Sequence, residues 1–230
     1  MDLLDHQNIR LVVFDLDGTL VDSDEAISMC FNRALTEMGY PCRPVADIAR
    51  LIGLPLMDMF AHYIDGSAAE QAVERYRSHY RTICVEKTTV LPCVTDTLEF
   101  LLGRGCTLAV ASNKPLRFTQ DILRATSLKR YFSLVAGPED VEIPKPDPAM
   151  LLHVMRNLGM EGSETIYVGD SLTDCRTAQA ASVRMFAVAT GSHTQAELEA
   201  AGSDWVSDSL CQFQEYLTKE GEGASWRSKE

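Results

Sequence analysis

The chain has 230 residues, of which 46% are hydrophobic and 23% charged, enough apolar material for one large domain or one domain with an insertion. A formal net charge of -12 without any basic run argues against a nucleic-acid partner, because binding to a phosphate backbone relies on clustered Lys and Arg. No apolar stretch is long enough to span a bilayer and MDLLDHQNIR is not a cationic leader, so a cytoplasmic protein without a membrane partner is expected.

LVVF at 11–14 is apolar and rich in β-branched residues, and predicts a buried strand whose end carries Asp15, Asp17 and, a little further on, Asp22. Ser23 is placed to cap a helix with Asp24 and Glu25 in its first turn and Ile27, Phe31, Ala34 and Leu35 on one face, ending at Gly39. Gly53 and Pro55 then break the helical pattern of ARLIGLPLMD at 49–58. The pattern S-A-A-E at 67–70 predicts a capping box opening the next helix. From 90 onward strands and helices alternate. CTLAVA (106–111), LVA (134–136), TIYVG (165–169) and MFAVAT (185–190) read as strands, and Met150, Leu151, Val154, Met155 and Leu158 share one helix face closed by Gly159. The fold class is therefore α/β: a doubly wound parallel-sheet core with a helical cap domain inserted after the first strand. Residues 1–22 and 89–217 are assigned to the core, 23–88 to the cap and 218–230 to a disordered tail.

The chemistry-bearing residues follow the strands, where an open parallel sheet places its ligand crevice. After LVVF come Asp15 and Asp17 in DLDGT. After CTLAVA come the hydroxyl of Ser112 and the amide of Asn113, both suited to a phosphate oxygen. Lys145 sits between two prolines ahead of a helix, and Asp170 follows TIYVG with Ser171 and Asp174 behind it. Each has a plain alternative as a turn residue, a helix cap or a solvated lysine. A calcium loop starting at Asp15 fails, because its sixth and twelfth positions are Leu20 and Ala26. Phosphate-binding glycine loops, a G-x-S-x-G nucleophile and H-E-x-x-H are absent, and the five histidines show no ligand spacing. Seven cysteines without a C-x-x-C pair predict thiols in a reducing compartment rather than zinc ligands.

Taken together, DLDGT at 15–19, SN at 112–113, KPDP at 145–148 and GDSLTD at 169–174 resemble the four motifs of the haloacid dehalogenase superfamily, and their spacing is similar to its phosphoglycolate phosphatase-like branch. The resemblance implies that Asp15 is the nucleophile and Asp17 the general acid and base. Lys145 and Ser112 would compensate phosphoryl charge, with Thr19 and Asn113 also binding substrate. It further implies a Mg²⁺ held by the carboxylates of Asp15 and Asp170 and the backbone carbonyl of Asp17, supported by Asp174 and Ser171. Dehalogenating members lack the acid at the second position, so Asp17 favours phosphoryl transfer. Cys93 and Ser182 stand where relatives usually carry Gly. The expected activity is hydrolysis of a small phosphorylated metabolite, with 2-phosphoglycolate leading. A phosphosugar mutase similar to β-phosphoglucomutase and a catalytically silent binding protein stay as alternatives, and monomer against homodimer stays open. Because the four motifs contact only the phosphoryl group, Arg50 and Gly53 in the cap loop are candidate readers of the leaving group. A simple helix–helix connector is the competing reading of that loop.

Overall fold

The computed structural model describes residues 9–218. His6 and the tail expected to be disordered from 219 onward lie outside the described residues, whereas Thr218, assigned by sequence to that tail, closes the last helix.

Six parallel strands form the sheet: β1 (Leu11–Phe14), β4 (Thr107–Ala111), β5 (Leu134–Ala136), β6 (Thr165–Gly169), β7 (Arg184–Val188) and β8 (Trp205–Ser207), in spatial order β5-β4-β1-β6-β7-β8. β1 is the switch point. The chain moves outward from it through β4 and β5, then crosses back to β6 on its other side, which opens a crevice at the carboxyl end of β1. All four residues of β1 are buried because both faces of the sheet are covered. Val12 and Phe14 face one apolar layer and Leu11 and Val13 the other, as strand alternation requires. The first layer is closed by α5 (Val94–Gly103), α6 (Leu116–Ala125) and α10 (Leu210–Thr218). The second is closed by α7 (Ala149–Leu158), α8 (Leu172–Ala180) and α9 (Gln195–Ala200).

Between β1 and α5, two short antiparallel strands, β2 (Val21–Asp22) and β3 (Thr89–Val90), form a two-stranded stem. The chain between them forms α1 (Asp24–Glu37), α2 (Val45–Ala49), α3 (Leu56–Ala61) and α4 (Gly66–Ile83). Phe31 of α1 stacks on Phe60 of α3 with centroids 4.1 Å apart, and Tyr76 and Tyr80 of α4 stack at 5.1 Å, an aromatic cluster continuous with the first apolar layer of the sheet.

Several local expectations are corrected. α4 starts at Gly66 with Asp65 before it and no side-chain cap, so Ser67 and Glu70 lie inside the helix instead of forming a capping box. Ser23 stands at the start of α1, but its hydroxyl donates to Asp17 instead of capping the helix. Cys93 and Cys211 form a disulfide across 118 residues, which corrects the expectation of thiols throughout. The fold makes it possible by packing α10, which carries Cys211, against α5, whose preceding residue is Cys93. Cys93 and Ser182, at the two positions where Gly is usual in relatives, both take left-handed backbone, with φ of 61° and 55°.

Candidate active site

β1 ends at Asp15, whose N–H donates to the Val168 carbonyl of β6, so the nucleophile candidate is pinned between the two central strands. Its side chain is only 2% exposed. Asp15, Asp170 and Asp174, each buried, offer carboxylate oxygens that all lie within 4.8 Å of one another. Two glycines permit this crowding. A Cβ at Gly18 would come within 2.3 Å, and one at Gly191 within 1.9 Å, of Asp170 Oδ2.

Lys145 is fully buried and lies among these acids, with Nζ 3.1 Å from Asp15 Oδ1 and 2.7 Å from Asp174 Oδ1. It also donates to the Tyr167 hydroxyl at 2.8 Å, which in turn donates to Asp174 Oδ1 at 2.7 Å. The other oxygen of Asp174 accepts from the Ser171 N–H at 3.1 Å and from its hydroxyl at 2.5 Å. Protein donors therefore occupy both oxygens of Asp174, and Ser171 caps α8 in the same exchange.

Burial decides the protonation pattern. It is the largest effect at Asp15, which is pushed up to about 6, with Lys145 opposing and Asp174 and Asp17 adding to the rise. Burial likewise holds Asp170 well above the carboxylate range, reinforced by Asp174 and Asp15. For Asp174 burial also pushes upward, but the Lys145 ammonium and its hydrogen bonds outweigh it, and the group sits below its ordinary value. At Lys145 the neighbouring carboxylates overcome the burial that would lower it, so it is held above the usual lysine value. Two buried carboxylates that resist ionisation beside one ammonium fit a site that holds a further cation. The all-oxygen donor set suits Mg²⁺, and apart from its ion pair Asp15 Oδ1 has no hydrogen-bond partner among the described residues. Asp15 and Asp170 are the carboxylates of this cluster that could hold such an ion, since protein donors engage both oxygens of Asp174.

Other sequence candidates fall differently. Ser112 lines the cavity above Asp15 with its side chain buried. Asn113 does not offer its amide to a substrate: Nδ2 donates to the carbonyls of Lys145 at 2.8 Å and Gly53 at 2.9 Å, and Oδ1 accepts from the Lys145 N–H at 2.9 Å. It ties the lysine loop to the cap loop. Thr19 donates to Asp170 Oδ1 at 3.0 Å and so orients a ligand candidate instead of binding substrate. Arg50 is also corrected. It points to the core surface, pairing with Glu197 at 2.6 Å and donating to the Ser192 carbonyl at 3.1 Å, and does not line the cavity. Gly53 does line it, with φ of 101° and its carbonyl held by Asn113.

The cavity between cap and core is walled by Ile52, Leu54, Met59, Tyr76 and Phe118 and carries the polar side chains of Asp15, Asp17 and Ser112. Sequence reasoning missed Lys114, which meets Asp17 there, and Tyr80, which accepts a hydrogen bond from Lys114, as well as Tyr167 and Gly191. Only for Lys114 did the sequence hold a signal, its place directly after Ser112 and Asn113.

A family model for haloacid dehalogenase-like hydrolases matches residues 12–188. Similar curated proteins include the "Probable phosphatase IndB" of Dickeya dadantii, 35% identical and covering 87% of this chain and 90% of its own length. A phosphoglycolate phosphatase of Pectobacterium atrosepticum is 32% identical, covering 87% and 88%. Among solved structures, a phosphatase from Clostridium acetobutylicum, so designated by prediction, superposes with a TM-score of 0.85 at 26% identity, covering 90% of this chain and 97% of that one.

Proposed function

The chain belongs to the haloacid dehalogenase-like hydrolases, and from that premise we propose that it is a Mg²⁺-dependent phosphatase acting on a small phosphomonoester through an aspartyl-phosphate, with 2-phosphoglycolate the leading substrate. That it is a phosphoric monoester hydrolase follows from the family and from the phosphoglycolate phosphatases among its relatives. One observation carries the aspartyl-phosphate reading: two aspartates at the end of β1 have separate partners. Asp15 lies against Lys145, and Asp17 against Lys114 and Ser23. Neighbouring carboxylates in different environments can take different tasks.

In this reading a carboxylate oxygen of Asp15 attacks phosphorus while the ester P–O bond breaks, and Asp17 delivers a proton to the leaving oxygen, releasing the alcohol. Water then attacks phosphorus, surrenders a proton to Asp17, and the acyl-phosphate P–O bond breaks to give inorganic phosphate and free Asp15. Lys145 compensates the phosphoryl charge from its fixed position. When bound, the divalent cation would neutralise phosphoryl and carboxylate oxygens at Asp15, Asp170 and the Asp17 carbonyl. The apolar cavity walls exclude bulk water from the reacting atoms. A cytoplasmic setting is part of the proposal; cell fractionation checks it, and the Cys93–Cys211 disulfide stands against it.

The test is phosphate release from 4-nitrophenyl phosphate and from a panel of phosphorylated metabolites, with Mg²⁺ and with excess chelator. Activity that requires the ion, and is strongest on 2-phosphoglycolate, is expected. Folded protein that releases no phosphate from any ester in Mg²⁺ overturns the phosphatase reading, and full activity in chelator overturns the metal.

A further inference from the structure

Lys114 is a buried ammonium that the chemistry above does not use. Its side chain is 4% exposed, and phosphoryl charge is already met by Lys145. Taking an ammonium out of water is costly, and an apolar side chain of similar volume often serves stability as well or better. Its contacts give it a different purpose. Nζ lies 2.9 Å from Asp17 Oδ2 and donates to the Tyr80 hydroxyl at 2.7 Å. The other oxygen of Asp17 accepts from Ser23, so both sides of the carboxylate are gripped.

The two partners come from different parts of the fold. Lys114 follows β4 of the core, and Tyr80 belongs to α4 of the cap. Tyr80 is itself fixed, stacked on Tyr76 with planes 13° apart and meeting Phe118 of the core edge-on at 5.1 Å. The chain of contacts Tyr80–Lys114–Asp17 therefore crosses from cap to core and ends on the group that serves the leaving oxygen. Resting on the reading of Asp17 as general acid, we propose that Lys114 and Tyr80 are positioning residues that hold the Asp17 carboxyl group toward the leaving oxygen and do so when the cap is seated. Among the described residues the polar partners of the Lys114 ammonium are Asp17 and Tyr80, and not Asp15. Their effect reaches the reaction only through Asp17.

A positioning role for the acid has a signature that loss of structure lacks. Benzyl phosphate and 4-nitrophenyl phosphate are similar in shape, but benzyl alcohol is a poor leaving group that needs the proton, whereas 4-nitrophenolate departs without it. The quantity to compare is kcat/KM, which ends at the first irreversible step and is insensitive to the later attack of water. Lys114→Met keeps length and apolar volume, and should lower kcat/KM for benzyl phosphate on the order of 10²-fold, within the usual worth of general acid catalysis. For 4-nitrophenyl phosphate the fall should stay within about threefold, since little proton transfer is then at stake. Tyr80→Phe keeps the ring stack and removes only the hydroxyl, so it should show the same split at roughly a tenth of the size. It decides the matter if Lys114→Met does not fold. Equal losses on both esters in the variants that fold, or no loss on either, overturn the inference while leaving the phosphatase reading intact. Wild-type protein that releases no phosphate from these esters or from any phosphorylated metabolite in Mg²⁺ overturns the reading itself and the inference with it.

Discussion

Gly53→Ala tests whether the seated cap loop matters for turnover. Gly53 holds φ of 101°, and an added Cβ would lie 2.9 Å from Ser171 Oγ and 3.2 Å from Ser171 Cβ. Ser171 cannot easily yield, because its hydroxyl is committed to Asp174 and to the cap of α8. The loop must therefore move off the core, at a cost in the overpacking range of about 1–3 kcal/mol. Taking about 2 kcal/mol, kcat/KM for a metabolite that needs the seated cap should fall about 30-fold, at 1.36 kcal/mol per decade. Small aryl phosphates, which depend less on the cap, should lose less. Gly39→Ala is the control. Gly39 has a similar φ of 80° but nothing within 4 Å of an added Cβ, so it carries the backbone strain without the contact. The assay is steady-state kinetics on a phosphometabolite panel, with melting curves for all three proteins. A folded Gly53→Ala protein with the wild-type substrate profile, or a Gly39→Ala protein equally impaired in kcat/KM, would refute the reasoning and leave the loop as a connector.

The metal site predicts a pH-dependent stabilisation. Asp15, pushed up to about 6 by burial, favours folding fully below its unfolded value and loses that contribution as pH rises through the folded one. A bound divalent cation removes the penalty, so the rise in melting temperature on adding Mg²⁺ should be larger at pH 7.5 than at pH 5. Calorimetry at the two pH values checks it; a shift independent of pH contradicts it. Asp170→Ala should abolish that shift as well as activity, because it deletes a carboxylate of the cluster. The Cys93–Cys211 bond closes a loop of 118 residues, so reduction should lower stability by about 2–4 kcal/mol. Denaturant unfolding with and without reductant measures this, and an unchanged midpoint, with the two thiols shown to be free after reduction, counts against it.

The sheet was readable because parallel strands covered on both faces leave uninterrupted apolar runs, as in LVVF and TIYVG, both observed at the bounds expected. Asp15, Asp17 and Asp170 could be placed because each follows such a strand, and Lys145 because its proline-flanked turn precedes a helix with a readable apolar face. β8 was missed: its three residues lie at the sheet edge, two of them only partly buried, with no apolar run to mark them. Roles that depend on a distant partner were not legible either. Asn113 and Thr19 read equally well as phosphate ligands until Lys145, Gly53 and Asp170 are seen to occupy their polar atoms. Arg50 had a free charge in the sequence and a partner, Glu197, 147 residues away in the fold. The S-x-x-E pattern at 67–70 is the same inside a helix as at its start, and only the backbone shows which applies.

If Asp15 forms the bond to phosphorus, replacing it with asparagine removes turnover while leaving the fold in place. Asparagine keeps the volume of a side chain that is 2% exposed, so circular dichroism and the melting curve should confirm a folded protein. With saturating Mg²⁺ and the best ester found for the wild type, kcat should fall by on the order of 10⁴ or more, because the amide lacks the attacking charge. A folded variant retaining a tenth of wild-type turnover would contradict the account.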